Sequence, residues 1–293
     1  MIRFAWPHGV RSIVFVSVNF DAEAYDLKST SEDRLFGRFS YGRYGVRAGL
    51  PRLLAMFERR SVPATFFVSA SDAVRNPGAI KALAEAGHEI GSRGNDLAPL
   101  PSLGAGEREA LQRGRETLAG IAGSAPIGFR AAGGELGWDT LGWLAELGFE
   151  YDASFQDDDR PYVIAPTGTT RLVELPGAFA LDDAPVYSAR HTQARLMKIW
   201  REEFEASYRS GCLIPLTLHL RGDMGSTRAA RIAVLEEFLS YMQGHPGVQF
   251  MTGAQLTRWV KSMNLTPEAN PVAEHRATLD VTPYRGDLAI KPI

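Results

Sequence analysis

A chain of 293 residues, 45% hydrophobic and 23% charged, can bury a large core. It suits one α/β barrel of roughly 250 residues with extensions better than a single small sandwich. A formal net charge of −2 without any block of like charges argues against nucleic acid or a membrane surface as partner, and the single cysteine, Cys212, excludes an internal disulfide or a thiolate metal cluster.

The opening "MIRFAWPHGVRS" lacks the apolar stretch of roughly 7–15 residues that a signal peptide needs. No later apolar run approaches the ~18 residues of a membrane span, so a cytoplasmic protein is expected. Ile13–Phe20 is β-branched and reads as a first strand. The segment Ala22–Tyr44 is polar and precedes any clear helix; it is expected to be an active-site loop or an oligomer contact. Leu50, Leu53, Leu54 and Phe57 recur at helical spacing. Val62–Ser69 reads as a second strand, Ala79–Ala86 as a short helix stopped by Gly87, and "HEIG" as a third strand.

Helical period returns at Glu107–Ile121, followed by a strand at Ile127–Ala131 and a helix at Trp138–Leu147. "FEYDAS" and "LVELP" are strand candidates. Gln193–Arg209 is helical, with Trp200 and Phe204 on one face. Leu213–Leu220 is the clearest late strand; Cys212 beside it reads as plain packing. A helix over Arg228–Gln243, a strand at Val248–Thr252 and a helix at Ala254–Ser262 complete the pattern. Such alternation predicts parallel strands, in an open doubly wound sheet or a barrel. Residues 263–293 carry Pro267, Pro271, Pro283 and Pro292 with little periodicity, and read as an irregular arm available to a neighbouring subunit in a homo-oligomer. Neither "GAGER" nor "GRYGVRAG" has the context of a phosphate loop.

Polar groups gather just after the strands, where βα loops converge in parallel architectures. "VNFDAE" places Asn19, Asp21 and Glu23 at alternate positions, on one side of a strand; a solvated strand end is the plainer alternative. Ser92, Arg93 and Asp96 follow the third strand, and Arg130 ends the fourth. His219 in "LTLHLRGD" ends the late strand, either as a hydrogen-bonded structural residue or as a functional one. His88 precedes its strand and belongs at the opposite end. His8 and His245 read as loop residues, while His191 and His275 carry no assignment.

These segments, taken together, resemble the polysaccharide deacetylase (NodB-homology) superfamily, in particular its allantoinase-like and peptidoglycan deacetylase-like branch. The resemblance runs from about Ala5 to Ser262 through "WPHGVRSIVFVSVNFDAEAYDL", "RYGVRAGLPRLLAMFERRSVPATFFV", "AGHEIGSRGND", "GFRAAGGELGWDTLGWLAELGFEYDASF", "VELPGAFALDDAPVY" and "PLTLHLRGDMGSTRAARIAVLEEFL". It implies a distorted (β/α) barrel of parallel strands with outer helices over residues 1–262, and a hydrolase acting on an amide or other non-peptide C–N bond.

Departures from the family pattern fall in its metal motif. Asp21 fits a ligand position, and Asn19 stands where the branch usually has a second aspartate. Arg93 and Leu97 stand where two histidines normally bind Zn²⁺ or a similar ion. Ala132 and Gly133 replace a proline and an aromatic after Arg130, and Leu220 replaces a proline after His219. A catalytic zinc needs three protein ligands and an open position, and a permanently charged guanidinium repels it. The expectation is therefore no metal, with Arg93 paired to Asp21 and to Asp96.

In this reading Asp21, His219 and Arg130 are catalytic, with His219 as general acid or base. Asn19, Glu23, Arg93, Asp96, Asp182 and Asp183 meet a small-molecule or saccharide substrate. Asp21 or Glu23 orients water, while Arg93 and Arg130 bind an anionic group. Asp182 and Asp183 in "LDDAP" read equally as turn acids before Pro185. The alternative function is a catalytically silent domain that binds a carbohydrate or small anion.

Overall fold

The computed structural model describes residues 6–7, 9–27, 37, 39–272 and 274. Its strands are β1 (Ser12–Phe20), β2 (Thr65–Val68), β3 (Glu89–Ser92), β4 (Gly128–Phe129), β5 (Tyr151–Asp152), β6 (Tyr162–Ala165), β7 (Leu172–Glu174), β8 (Ile214–His219), β9 (Val248–Met251) and β10 (Glu268–Ala269). Its helices are α1 (Glu23–Leu27), α2 (Phe39–Tyr44), α3 (Leu50–Arg60), α4 (Ala70–Arg75), α5 (Pro77–Glu85), α6 (Glu107–Ala122), α7 (Thr140–Glu146), α8 (Asp183–Ser188), α9 (Gln193–Ser210), α10 (Ala229–Gln243) and α11 (Gly253–Ser262). No helix among the described residues is long and apolar enough to cross a membrane.

The sheet runs β10-β6-β7-β5-β4-β3-β2-β1-β8, with β9 also on β1. It is parallel except where β6 and β7 form an antiparallel pair. After β7 the chain returns to the other end of the sheet, where a single parallel bridge, Asp182 with Thr217, joins it to β8. The ring is thus closed by one bridge where a regular barrel has a full ladder, which is the distortion of this (β/α) barrel.

Alternation along β1 sets inside from outside. Val14, Val16, Val18 and Phe20 pack outward with Leu53, Phe57, Trp200, Phe204 and Phe238 of the helices. Ile13 and Phe15 point inward and share a second cluster with Phe67, Tyr151, Val173 and Leu213 from other strands. Gly91 and Gly128 make room for this filling: a Cβ there would strike the rings of Phe67 and Tyr151 respectively. Above Phe15 the inward positions turn polar at Ser17 and Asn19, both still buried. The site begins at that change.

The long helices follow from local signals. Thr192 caps α9 by accepting from the Arg195 amide, Gly211 ends it at φ 70°, and Leu196, Trp200 and Phe204 form its buried stripe. Two features depart from the sequence expectation. β6 carries only four residues of unalternating "YVIA" between turn segments, too short a signal to separate from loop. The tail after residue 262 is not irregular throughout, because β10 adds to the edge of β6 in parallel register. Residues 28–36 and 38 of the polar segment after β1, His8, and residues 273 and 275–293 of the arm, with His275, lie outside the described residues.

Candidate active site

Adjacent strands bring the polar inward positions of β1 and β8 side by side, with Ser17 opposite Thr217 and Asn19 opposite His219. Arg130, just past β4, reaches across the interior beneath them. Its Nε donates to the Ala153 carbonyl (3.0 Å), and its Nη1 donates to Ser17 Oγ (2.8 Å) and Asn19 Oδ1 (3.3 Å). The guanidinium lies over the face of Phe67, 4.3 Å from the ring centroid. Burial, with the nearby charge of Arg93, pushes the Arg130 pKa down to about 10.

Arg130 fixes the proton positions above it. A guanidinium can only donate, so Asn19 must turn its oxygen to Arg130. Its Nδ2 then faces His219 Nε2 at 3.1 Å, which makes that nitrogen an acceptor. The proton of the neutral ring sits on Nδ1, 2.9 Å from Asp183 Oδ1. Burial opposes the imidazolium, but the hydrogen bond and charge of Asp183, with the charges of Asp182 and Asp21, outweigh it and raise the His219 pKa.

Asp183 is fully buried. Besides the ring it accepts from the backbone amides of His219 (3.2 Å) and Ser226 (2.7 Å). It therefore orients His219 and does not meet a substrate, correcting its assignment as a substrate contact. Asp182 caps α8 through the Ala184 amide. Its carboxylate lies 3.5 Å from His219 Nδ1, and it lines the cavity described below.

The carboxylate of Asp21, one residue beyond β1, is gripped by Arg93. Nε donates to Oδ1 at 2.8 Å and Nη2 to Oδ2 at 3.3 Å, with the two side chains 8% and 1% exposed. His219 Nε2 stands 4.0 Å from Asp21 Oδ2. A sequence-expected partner of this pair, Asp96, is elsewhere: it is exposed and accepts from the Ala98 amide and from Asn95. Glu23 is also displaced, because the chain leaves the strand conformation at Asp21 and starts α1, where Glu23 accepts from Asn76. Alternation along β1 fails once the strand stops.

A cavity of about 270 Å³ opens onto this assembly, lined among others by Asn19, Arg93, Arg130, Asp182, Thr217 and His219. Ser17, Thr217 and Ser154 were not foreseen as site residues. Ser17 interrupts the apolar run of β1 at an inward position, and that interruption is the signal that could have found it. Asp72 was also missed; it anchors the turn after Asp21 by accepting from the amides of Ala22 (3.2 Å) and Ala24 (2.9 Å). Burial pushes its pKa up to about 7. His88 sits at the far end of the barrel, as expected, where it accepts from the Ala64 amide and burial lowers its pKa.

The divalent ion implied by the family resemblance does not fit these residues. Both oxygens of Asp21 are spent on a guanidinium. Leu97 offers no donor and packs with Ala24 and Ala132. It holds φ at 63°, a left-handed conformation that costs a leucine roughly 1–2 kcal/mol. His219 does lie beside Asp182 and Asp183, but its Nδ1 carries the proton donated to Asp183. Arg93 places a permanent positive charge against Asp21, which repels a cation there.

Fold and rim together define an α/β-barrel protein of the NodB hydrolase type. The model of the polysaccharide deacetylase family matches residues 29–151. A crystal structure assigned to the polysaccharide deacetylases, from Mycobacterium smegmatis, is 36% identical, with TM-score 0.83 over 92% of this chain and 96% of that one. The chain belongs to the polysaccharide deacetylase family. The PuuE allantoinase structure is 26% identical, with TM-score 0.79 over 89% of this chain and 94% of that one. The peptidoglycan deacetylase of Helicobacter pylori is 24% identical over 273 residues, 82% of this chain and 93% of that protein.

Proposed function

We propose that this family hydrolase cleaves an amide-type C–N bond in a small molecule, a ureide or cyclic amide, without a divalent ion. The observation that carries the reading is the pairing of two oriented dyads, Arg93–Asp21 and His219–Asp183, around one small polar cavity. A volume near 270 Å³ suits a small ligand better than a glycan chain. Similarity to the PuuE allantoinase along most of both chains supports the ureide over the acetylated sugar.

His219 Nε2 takes a proton from water as the water oxygen attacks the carbonyl carbon. The tetrahedral oxyanion is met by guanidinium donors, which act strongly in a site that excludes bulk water. The C–N bond then breaks, and His219 returns the proton to the leaving nitrogen. Asp183 keeps the ring in the required tautomer throughout. Water must displace the Asn19 amide from Nε2 for the first step.

That same amide favours a second reading, a silent domain that binds a small anion with His219 permanently occupied. One experiment separates the two. Purified protein, dialysed against chelator and assayed for metal, is offered ureides, cyclic imides and N-acetylated sugars. Turnover of a ureide or cyclic imide that survives chelation and is lost in His219→Ala supports the hydrolase. Saturable binding without turnover assigns the silent domain. Activity that depends on stoichiometric Zn²⁺, Co²⁺ or Ni²⁺ overturns the metal-free site.

A further inference from the structure

The two guanidiniums facing the cavity are not equivalent. Arg93 is neutralised by Asp21, whereas Arg130, itself buried, makes no ion pair among the described residues. Its Nε and Nη1 are held by neutral oxygens of Ala153, Ser17 and Asn19, and its Nη2 has no hydrogen-bond partner among the described residues. Asp152 and Asp182 act on it through space but do not contact it, and Arg93 repels it. A buried cation needs a partner, and the residue in contact that could have been an aspartate is Asn19. No carboxylate touches Arg130 among the described residues, so the open contact is one that an entering anion can fill.

We infer that the cavity binds ligands bearing a carboxylate, which places an oxygen on Arg130 Nη2 and supplies the charge that Asn19 lacks. This rests on the reading of the cavity as the reaction site and narrows its ligands to open-chain carboxylated ureides or N-acyl amino acids, as substrate or as ring-opened product. The carboxylate end sits on Arg130, and the C–N bond lies toward His219. Charge-assisted hydrogen bonds of this type are stronger than neutral ones, so the acid must bind better than its amide.

The probes are N-carbamoylglycine and N-carbamoylglycinamide, titrated calorimetrically into wild type and into Asn19→Asp, whose folding is checked by thermal melting. Wild type is expected to bind the acid at least tenfold more tightly than the amide. In Asn19→Asp the new carboxylate occupies Arg130, and that preference is expected to collapse. Equal affinities, no binding of either probe, or an unchanged preference in Asn19→Asp overturns the inference. Consumption of N-carbamoylglycine assigns the carboxylate to the substrate. Its competitive inhibition of hydantoin opening, without being consumed, assigns it to the product; both support the inference. Binding needs no turnover, so a retained preference in a protein that hydrolyses nothing would remove the catalytic reading alone.

Discussion

The two ends of the barrel bury similar chemistry and finish it differently. β3 reaches both, with Glu89 at its start and Arg93 just past its end. At the lower end Glu89 accepts from Tyr151 Oη (2.9 Å), Thr65 Oγ1 (2.7 Å) and the Ala254 amide (2.8 Å). Each of these three groups is a donor, and burial raises the pKa of Glu89. At the upper end the hydrogen bonds run from group to group, Arg130 to Asn19 to His219 to Asp183, and the chain stops at a cavity with a guanidinium nitrogen unspent. A closed polar cluster has nothing left to offer, and one left incomplete at an opening keeps a donor free to meet a ligand.

That contrast predicts where substitutions act. Truncating His219 removes the proposed proton carrier at the rim, and His219→Ala is expected to lower kcat/KM by about 10²–10⁴-fold with the fold retained, read by steady-state kinetics and circular dichroism. Arg93→Met strands the Asp21 carboxylate in the interior and is expected to cost about 3–5 kcal/mol in urea unfolding. Glu89→Ala leaves three buried donors unanswered at the lower end. It is expected to cost roughly 1–3 kcal/mol while leaving kcat/KM within twofold. If the lower-end change alters catalysis more than stability, the division between the ends fails.

Smaller effects sharpen the same comparison. Since the pKa of His219 is raised, the imidazolium is favoured by folding. Its contribution to stability is full below the unfolded value of about 6.5 and is lost as pH rises through the folded value. Activity as a base moves oppositely, so kcat/KM rises with pH with a midpoint above the ordinary histidine value. Asp183→Asn removes the strongest cause of the raised value and is expected to shift that limb to lower pH, a displacement that simple loss of packing would not give. Glu23→Ala and Asp96→Ala, both outside the cavity, are expected to change kcat/KM by less than twofold. A larger loss in either would return that acid to the site.

Much of this was legible along the chain. Strand and helix periods located β1, β2, β3, β8 and the long helices, because each buries a face whose spacing is written in the side chains. The pairing of Asp21 with Arg93 was anticipated from residue types at the family's motif positions. The errors lie where local pattern ends. Glu23 was assigned by extending the alternation of β1 beyond its last residue, and Asp96 by proximity in sequence to Arg93. Asp183 was placed against the substrate when its three hydrogen bonds turn it to the back of His219.

The residues themselves determined that this chain alternates strands and helices around parallel strands, since hydrophobic period needs no neighbour to be read, while the barrel and the cation at the position of the metal motif were implied by the family resemblance. Only the tertiary structure decided which acids serve the site and which merely sit near it. It also decided that Arg130 touches no carboxylate among the described residues. Such pairing depends on distances of a few ångströms between groups far apart in the chain, as Arg93 and Asp21 or Arg130 and Ser17 are, and one-dimensional spacing does not encode them.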